Sequence, residues 1–417
     1  MNQGTKVIRD PIHGDIKLEG FFLDLLQAPE IQRLYNIKQL GFTHLVFPGA
    51  HHTRLEHSLG TYFLAIKAVD SLNLNYDEKN LVTCAAILHD IGHGPFSHTL
   101  ESILRSSLNV DHVDLTEKLI LGESAVFNQY ESDIIDSLCV YKVLKKYNLD
   151  HYEIIKIIRG ISQNKNYLSQ LLNSTIDVDQ LDYIIRDAYY TGVAYGMIDI
   201  DRFLQTLLIR DNNLIIKKKG IGVVENILMA RTLMYSSVYF HKTVRIAELM
   251  LSKAIELLDA NPFEFFKMTD SELMNYLIQK GEYQREIAIR LKYRKLFKQA
   301  FILSKIDFKN QEYDVIKKLE DINYRCRKEQ EFEELLNIPN GHIIIDVPYT
   351  ELHLSEPRID QTDIGVLVNN KIKNLDDYTP IAKAIRNHDI SDWDIMIITD
   401  EKNRDIVSKK ASRILFN

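Results

Sequence analysis

The stretch from residue 81 to residue 101, LVTCAAILHDIGHGPFSHTLE, restricts what this chain can fold into more than any other. Its first eight residues are almost wholly apolar, which indicates a helix buried in a core. That run leads directly into His89 and Asp90, and a charge buried at such a place is costly unless a partner compensates it. The turn IGHGP follows and lets backbone and imidazoles approach a ligand closely. The stretch therefore predicts a metal-centred hydrolytic site at the end of a buried helix.

The composition indicates a globular protein without a bulk attraction to polyanions. Its 417 residues are 45% hydrophobic, which allows a large core and two or more domains. A net charge of -7 argues against a protein held on nucleic acid or on a membrane by bulk charge. An anionic substrate must therefore be met by a local basic pocket.

The cysteines and the N-terminus indicate a cytoplasmic protein. Cys84, Cys139 and Cys326 form no CxxC pair, and we expect them to be reduced thiols. No apolar run approaches the roughly 20 residues that span a bilayer, and the N-terminus lacks a signal-peptide core. We therefore expect no membrane partner.

Helical periodicity dominates the chain up to about residue 337, with two short interruptions. Alternating segments predict β-hairpins at residues 5–18 and 206–220. Helices are predicted at residues 21–40, 61–72, 78–90, 112–121, 149–161 and 177–195, and again from 221 to about 337. After residue 338, the segments HIIIDV, TDIGVLV and WDIMIIT predict strands, with one helix near 378–387. We therefore expect a boundary near residue 338 and an α+β domain behind it.

Histidine is concentrated where a metal site is expected. Nine of the fourteen histidines lie within the first 112 residues. The candidate metal ligands are His57, His89, Asp90 and one later carboxylate. Imidazole nitrogen mixed with carboxylate oxygen suits Fe, Mn, Zn, Ni or Mg, and the absence of cysteine partners argues against a structural zinc site. An open coordination position would acidify water and bind a phosphoryl oxygen.

The later carboxylate follows from spacing in STIDVDQLDYIIRDAYYTG. In a helix, Asp179, Tyr183 and Asp187 fall at i, i+4 and i+8 on one face, with Asp182 and Arg186 as an adjacent i,i+4 pair. Asp179 would complete the metal site. Tyr183 would stack on or hydrogen-bond a sugar, and Asp187 would accept a hydrogen bond from a sugar hydroxyl.

Each of these residues also has a simpler structural interpretation. The histidine–aspartate pair alone is compatible with a satisfied core pair, His57 with a structural histidine, and Asp179 with an ordinary helix carboxylate. The two further histidines that follow the pair favour the metal site. His51 and His52 are interpreted as exposed loop residues.

At these motifs the chain resembles a known family. TRLEHSLG, LHDIGHGPFSH and IDVDQLDY, in this order, are similar to the HD-domain metal-dependent phosphohydrolases, and specifically to the branch of deoxynucleoside triphosphate triphosphohydrolases. DPIHG, QRLYNIKQLG and VFPGAHHTR extend the resemblance over residues 5–250. Together with the pattern along the rest of the chain, it predicts a mainly α fold. We expect an HD helical core with small β-hairpins at 1–220, a helical extension at 221–337 that completes the site and makes oligomer contacts, and a smaller C-terminal α+β domain at 338–417.

The resemblance also implies roles for individual residues. His93 would be the proton donor or the histidine that positions the nucleophile, and His112 a second catalytic histidine paired with Glu101. Metal would be held by His57, His89, Asp90 and Asp179. Substrate would be held by Gln39 at the sugar, by Arg54, His98 and Lys242 at the phosphates, and by Tyr183 and Asp187 at the 3'-hydroxyl.

The reaction implied is cleavage between the α-phosphate and the nucleoside 5'-oxygen, which releases deoxynucleoside and triphosphate. The resemblance further implies a homodimer or homotetramer. Regulated members bind an activating guanine nucleotide with an Asp and an Arg, where this chain has Gln27 and Tyr35. Lys6, Val7 and Arg9 remain candidates to line a nucleotide-activator site at a subunit interface.

Two other departures keep alternatives open. Val113 follows His112 where the family has Glu, and Gln180 stands where a basic residue commonly follows the metal-binding Asp. The alternatives are an HD-type phosphomonoesterase or phosphodiesterase acting on another nucleotide, and a regulatory protein that binds nucleotides or single-stranded nucleic acid. The acidic composition makes a nucleic-acid partner the less favoured of these.

Overall fold

The computed structural model describes residues 4–127, 129–135, 138–304, 310–348, 364–386 and 395–416. Within the helices, the side chains of residues 98, 102, 106, 107, 129, 310–313 and 386 lie outside that description. The described chain is mainly α-helical, as predicted, with small sheets. Across the described ranges, none of the helices combines the length and the apolar character needed to cross a membrane.

The helices and strands are numbered in chain order. The helices are α1 (Phe21–Gln27), α2 (Pro29–Gln32), α3 (Arg54–Ser71), α4 (Tyr76–Leu88), α5 (Ser97–Leu108), α6 (His112–Ile120), α7 (Gln129–Ile135), α8 (Val140–Lys146), α9 (His151–Ile158), α10 (Asn166–Gln170), α11 (Val178–Thr191), α12 (Ile200–Thr206), α13 (Ile221–Met234), α14 (Lys242–Glu256), α15 (Asp270–Gln279), α16 (Glu282–Lys292), α17 (Asn310–Leu319), α18 (Ile322–Leu336), α19 (Pro380–Arg386) and α20 (Arg404–Phe416). The strands are β1 (Lys6–Asp10), β2 (Gly14–Leu18), β3 (Leu207–Arg210), β4 (Asn213–Lys217), β5 (Lys298–Leu303), β6 (Ile343–Asp346), β7 (Gly365–Val368), β8 (Lys371–Asn374) and β9 (Ile395–Thr399).

Three helices bring the polar groups of the predicted site together. α3 begins behind a capping box formed by Thr53 and Glu56, and it packs against both α4 and α11. α4 is buried through its C-terminal half and ends at His89. α11 begins behind Asp177, whose carboxylate caps the helix. One end of α4 therefore meets the first turns of α3 and α11.

Both predicted hairpins are present. β1 and β2 pair antiparallel, in register with Lys6 opposite Leu18. β3 and β4 pair antiparallel across Asp211 and Asn212, whose φ angles of 50° and 62° are those that a tight two-residue turn requires. The second hairpin belongs to a larger sheet, ordered β3-β4-β7-β8, because β4 also pairs in parallel with β7.

The strands predicted near the C-terminus correspond to β6, β7 and β9, and the helix predicted at 378–387 corresponds to α19. Two elements were not predicted: β5, which interrupts the region predicted to be helical, and α20, which packs on β5. β5 pairs with β9 about 100 residues further along the chain. A segment this short takes its conformation from that distant partner rather than from local preference.

The sheets join segments on opposite sides of both predicted domain boundaries, through the pairs β4–β7 and β5–β9. β6 and β9 lie between two hydrophobic clusters. Ile344 and Ile398 belong to the large cluster that includes α3, α4 and α11, whereas Ile345 and Ile397 belong to a smaller cluster with Phe332. The division into three domains stays a prediction, but its parts share sheets.

Candidate metal-dependent active site

Two histidines and two aspartates meet where α3, α4 and α11 converge. His57 Nε2 lies 3.0 Å from Asp179 Oδ1 and 3.3 Å from His89 Nε2. His89 Nε2 lies 3.3 Å from Asp90 Oδ1 and 3.6 Å from Asp179 Oδ1. Ligand atoms of His57, His89 and Asp90 all lie within 4.8 Å of one another. The structure therefore brings together the four residues that the sequence analysis interprets as metal ligands.

This donor set fits a divalent cation. Burial alone would lower the pKa of His57, but hydrogen bonds to Asp179 and Asp182 outweigh it and raise that pKa to about 10. Burial would raise the pKa of Asp179, yet hydrogen bonds to His57 and His89 lower it below its usual range. The carboxylates thus create a negative potential in the core that a cation would neutralise. Nitrogen and oxygen donors without a thiolate suit Fe, Mn, Zn, Ni or Mg.

Hydrogen bonds on the far side of each ring fix how the two histidines face the site. His57 Nδ1 donates to Asp182 Oδ2, and His89 Nδ1 donates to the carbonyl of Ala86, each at 2.8 Å. In both rings Nε2 is then the nitrogen that faces the site, and it can offer a lone pair to a cation that displaces the proton from the ring. An acceptor behind a metal-binding histidine holds the ring and raises its basicity.

Asp182 is a supporting residue whose role the sequence analysis did not recognise. Besides His57, its carboxylate accepts hydrogen bonds from His13 Nε2 at 2.6 Å and from two nitrogens of Arg186. Arg186 in turn donates to Asp10. The Asp182–Arg186 pair is predicted from spacing, but His13 and His57 lie 169 and 125 residues away along the chain. The DPIHG segment therefore supports a metal ligand through Asp182.

His93 and His112 form a stacked pair beside the metal ligands, with ring centroids 3.9 Å apart. His93 Nε2 lies 3.3 Å from Asp90 Oδ1, and His112 Nδ1 donates to Glu101 Oε1 at 2.8 Å. Burial, reinforced by Arg54, lowers the pKa of His93 to about 3. Burial would also lower the pKa of His112, but Glu101 outweighs it and raises that pKa to about 8. At neutral pH the pair therefore carries one extra proton, on His112.

Arg54 contacts a metal ligand directly. Its Nη1 donates to Asp90 Oδ2 at 2.6 Å, and its Nε donates to Ser97 Oγ at 2.7 Å. The sequence analysis interprets Arg54 as a phosphate ligand. The structure shows that it also orients Asp90.

A cavity of about 1010 Å³ opens in front of these groups, at the upper end of the range for small-molecule sites. The predicted site residues that line it are Gln39, Arg54, His57, His89, Asp90, His93, Glu101, His112, Asp179, Tyr183 and Asp187. Lys242 begins α14 and is not among the described lining residues, although Arg245 on the same helix is. The side chain of His98 lies outside the described residues.

Comparisons with protein families agree with this geometry. A model described as HD domain matches residues 54–187, which carry all four candidate metal ligands. A model described as HD associated region matches residues 198–416, more than half of the chain. The chain belongs to the HD-domain phosphohydrolase family. HD domains bind divalent metals, and the cluster around His57 is where this one would hold an ion.

Several relatives of this HD-domain chain differ in length from it. An uncharacterized protein of Methanocaldococcus jannaschii is 34% identical over 401 residues, which cover 94% of this chain and 78% of the relative. Human SAMHD1, named a deoxynucleoside triphosphate triphosphohydrolase, is 31% identical over 341 residues, 70% of this chain and 54% of the relative. Its Dictyostelium discoideum homolog is 30% identical over 323 residues, 71% of this chain and 60% of the relative. The chain thus spans only slightly more than half of these two named relatives.

Solved structures show the same fold over nearly the whole chain. A hypothetical protein from Aquifex aeolicus has a TM-score of 0.74 at 27% identity, covering 98% of this chain and 100% of its own. A phosphohydrolase from Bacteroides thetaiotaomicron has a TM-score of 0.70 at 26% identity, covering 95% of this chain and 100% of its own. The fold of this chain, including both regions that match family models, therefore recurs in these solved structures.

His52 of the HD-domain chain corrects a prediction, since it is buried and not an exposed loop residue. It is 2% exposed, its Nε2 lies 2.7 Å from Asp187 Oδ1, and its ring stacks on Tyr190 with centroids 4.5 Å apart. The adjacent His51 is exposed, as predicted. Because the partner of His52 lies 135 residues away, no local pattern distinguishes the two histidines.

The groups predicted to contact a sugar face one part of the cavity. Tyr239, which the sequence analysis missed, donates to Asp187 Oδ2 at 2.7 Å, and its ring meets that of Tyr183 edge-on. Gln39 Oε1 is buried without a hydrogen-bond partner in the described part of the chain. A buried acceptor of this kind is costly unless a ligand or water satisfies it. Gln39 is therefore suited to accept a hydrogen bond from a substrate.

The residues considered for an activating nucleotide lie at the surface. Lys6, Val7 and Arg9 are exposed on β1, and Gln27 and Tyr35 are exposed as well. The activator site and the oligomeric state stay predictions.

Proposed function

We propose that this protein hydrolyses deoxynucleoside triphosphates to deoxynucleoside and triphosphate. The observation that carries the proposal is one cavity shared by two kinds of group. The metal-donor cluster forms part of its wall, and Gln39, Tyr183 and Asp187 line the same space. Such a wall suits a phosphoester and a sugar held side by side. The two relatives named for this activity, from human and Dictyostelium discoideum, support the proposal.

Protein groups beside the metal cluster suit the proton transfer that this hydrolysis needs. When bound, a divalent ion supplies Lewis-acid polarisation of a phosphoryl oxygen and makes water more acidic. In the proposed reaction a water oxygen bonds to the α-phosphorus and loses a proton to solvent, the bond from that phosphorus to the 5'-oxygen breaks, and the leaving 5'-oxygen takes a proton. His112 carries that proton at neutral pH because Glu101 holds it there. Neutral His93 packs on His112, which supports a positioning role for His93 rather than proton donation.

Selection of the sugar would fall to Asp187 and its neighbours. His52 and Tyr239 each donate to one carboxylate oxygen of Asp187, and each oxygen keeps a lone pair for a 3'-hydroxyl. Tyr183 offers a ring face or a phenol beside it. A substrate without the 3'-hydroxyl would leave these buried polar groups unpaired, which is the costlier kind of mismatch.

A second candidate is hydrolysis of a nucleotide with fewer phosphates, as a phosphomonoesterase or phosphodiesterase. This second candidate is favoured because the arginines that line the described part of the cavity already form ion pairs within the protein. Among the described lining residues the arginines are Arg54, Arg105 and Arg245, and each forms an ion pair with a carboxylate of the protein. A triphosphate would have to compete for these arginines, whereas a monophosphate needs fewer of them.

Product analysis separates the two candidates. Protein reconstituted separately with each of the five metals is incubated in ¹⁸O-water with the four deoxynucleoside triphosphates, singly and in pairs. We expect deoxynucleoside and tripolyphosphate, with the label in the tripolyphosphate. Orthophosphate alone would support the second candidate, and a need for two nucleotides would demonstrate activation.

A matched pair of aspartate variants links turnover to the metal cluster. Asp179→Asn should lose most bound metal and at least about 100-fold in kcat, because it weakens a ligand and removes its charge. Asp199→Asn changes the capping residue of α12 and should retain both metal and turnover. Full metal occupancy in Asp179→Asn, measured by elemental analysis, would contradict the assignment.

A further inference from the structure

We infer that Arg33 and Asp270 are positioning residues for the catalytic loop of the HD domain. The catalytic loop is residues 89–96, which join α4 to α5 and carry His93 together with two candidate metal ligands. Arg33 precedes the region matched by the HD-domain model, and Asp270 lies in the HD associated region. Only the turnover part of the test below rests on the proposed function.

Arg33 holds the catalytic loop by its backbone. Its Nη2 donates to the carbonyls of Ile91 and His93 at 3.0 and 2.7 Å, and its Nη1 donates to those of Phe266 and Met268 at 2.8 and 3.1 Å. Arg33 is 8% exposed, and the ion pairs found among the described residues do not include it. A buried guanidinium is costly unless its N–H groups find acceptors. The two Nη atoms use theirs to join two segments of backbone, whereas Nε has no acceptor among the described residues. Arg33 therefore fixes the distance between the catalytic loop and the segment before α15.

Asp270, the first residue of α15, fixes the far end of the same loop. Its Oδ1 accepts a hydrogen bond from the amide of Phe96, and its Oδ2 accepts one from the amide of Lys38, both at 3.0 Å. Phe96 has φ 47° and ψ 50°, a left-handed conformation that non-glycine residues rarely adopt without a restraint. Lys38 precedes Gln39 in the cavity wall. One carboxylate thus restrains the loop and the backbone beside a candidate substrate contact.

The opposite side of the catalytic loop is held within the HD domain. The hydroxyl of Thr116 on α6 donates to the carbonyl of His89 and accepts from the amide of Gly92. On the other side, a Cβ on Gly94 would lie 3.0 Å from the Cα of Phe266, so these backbones are in close contact. The loop therefore lies between α6 and residues 262–270. The HD domain supplies one of these supports, and the HD associated region supplies the other.

The hydrogen bonds of Arg33 and Asp270 to the catalytic loop control where the His93 ring lies. The ring is stacked on His112, and its Nε2 lies 3.3 Å from Asp90 Oδ1. Arg33 donates a hydrogen bond to the carbonyl of His93. Displacement by about 1 Å at a reacting centre can cost on the order of 100-fold in rate. A loosened loop should therefore slow turnover more than it weakens substrate binding.

Two substitutions test the support, with one control. Arg33→Lys keeps the charge but cannot reach all four carbonyls, and Asp270→Asn keeps the shape but replaces one acceptor oxygen by an amide. We expect Arg33→Lys to lower kcat by about 10- to 100-fold with little change in KM or metal content. Asp270→Asn should also lower kcat and should raise KM, since one acceptor oxygen is left for the two amides of Phe96 and Lys38. Arg294→Lys, which loses a hydrogen bond to the carbonyl of Leu45 outside the catalytic loop, should behave as wild type.

Hydrogen–deuterium exchange tests the catalytic loop without any substrate. The amides of Gly92 and Phe96 should exchange at least about 10-fold faster in both variants, and at the wild-type rate in Arg294→Lys. Unchanged exchange in the loop would overturn the inference, as would a fall in kcat no larger than the fall in folded, metal-bound protein. If wild-type protein hydrolyses no deoxynucleoside triphosphate, the proposed function fails, and loop exchange still decides the role of Arg33. If Arg33→Lys does not fold, Asp270→Asn decides.

Discussion

The proton on His112 depends mainly on the neighbouring carboxylate of Glu101, with smaller contributions from Asp90 and Asp111. Burial lowers the pKa of His112, and Glu101 raises it to about 8 despite that burial. If protonated His112 is the acid, kcat/KM should fall as the pH rises through the His112 pKa. Glu101→Gln should therefore move this high-pH limb to lower pH, by about one unit or more, while metal content is retained.

The control for this pH profile is Glu123→Gln, which changes an exposed glutamate beyond the end of α6. Its high-pH limb should coincide with that of the wild type. A limb that does not move in Glu101→Gln would show that His112 does not supply the proton.

The sequence predicts the candidate metal ligands and substrate contacts better than it predicts the residues that support them through hydrogen bonds. His89 and Asp90 are recognisable because charge follows an apolar run, and Asp179 because helical spacing places it with Tyr183 and Asp187. His52 and His13 carry no such signal, since each is defined by a hydrogen bond to an aspartate more than 130 residues away. Neither histidine can be assigned to the protein interior until its distant aspartate partner is known.

The close packing of α3 on α11 depends on a glycine in TRLEHSLG. A Cβ on Gly60 would run into the side chains of Asp182 and Arg186. Gly60→Ala should therefore cost about 1–3 kcal/mol of unfolding free energy, measured by chemical denaturation, and weaken metal binding through His57. Gly222→Ala on α13 is the matched control, because nothing lies within 4 Å of its Cβ. Gain of helix propensity should make this control neutral or more stable by up to about 1 kcal/mol.

The contact of α18 with β6 should make stability depend on pH. Glu333 accepts a hydrogen bond from the amide of Ile343, and burial raises the pKa of Glu333 from 4.5 to about 7. The native state thus binds this proton more tightly than the unfolded chain. Its stabilisation is fully present below pH 4.5 and is lost as the pH rises to about 7. Relative to wild type, Glu333→Gln should gain on the order of 1 kcal/mol between pH 5 and pH 8.

The measurement is urea denaturation across this pH range, with Glu334→Gln at the neighbouring exposed position as the control. A constant difference between Glu333→Gln and the wild type at every pH would contradict the prediction.

The helices and strands that can be predicted are those whose own sequence contains a local pattern for that structure. The helices α3 and α4 begin at capping boxes and are rich in apolar residues, and the hairpin turn at Asp211 and Asn212 has a recognisable composition. β5 has neither, and its strand character comes from pairing with β9. The pairing of β7 with the β3–β4 hairpin likewise cannot be predicted from a local sequence pattern.

At the scale of the whole molecule, β6 and β9 connect two hydrophobic clusters. Phe332 is fully buried in the smaller cluster, away from the metal site in the larger one. Phe332→Ala should cost about 3–5 kcal/mol, and the shared strands should transmit that loss to the whole fold. Thermal loss of helical signal and release of bound metal should therefore shift together. Metal release at the wild-type temperature, with an earlier loss of helical signal, would show that the clusters unfold separately.

The parallel pairing of β4 with β7 affects how the chain is made. Ile216 pairs with Val366, which leaves the ribosome 150 residues later. Because synthesis proceeds at about 5–20 residues per second, one edge of β4 stays unpaired for roughly 10–30 s before β7 is made. An open strand edge is a template for pairing with other chains, so nascent molecules are exposed to misassembly during that interval. Soluble yield should therefore depend on the rate at which new chains are started and on the chaperones that meet them.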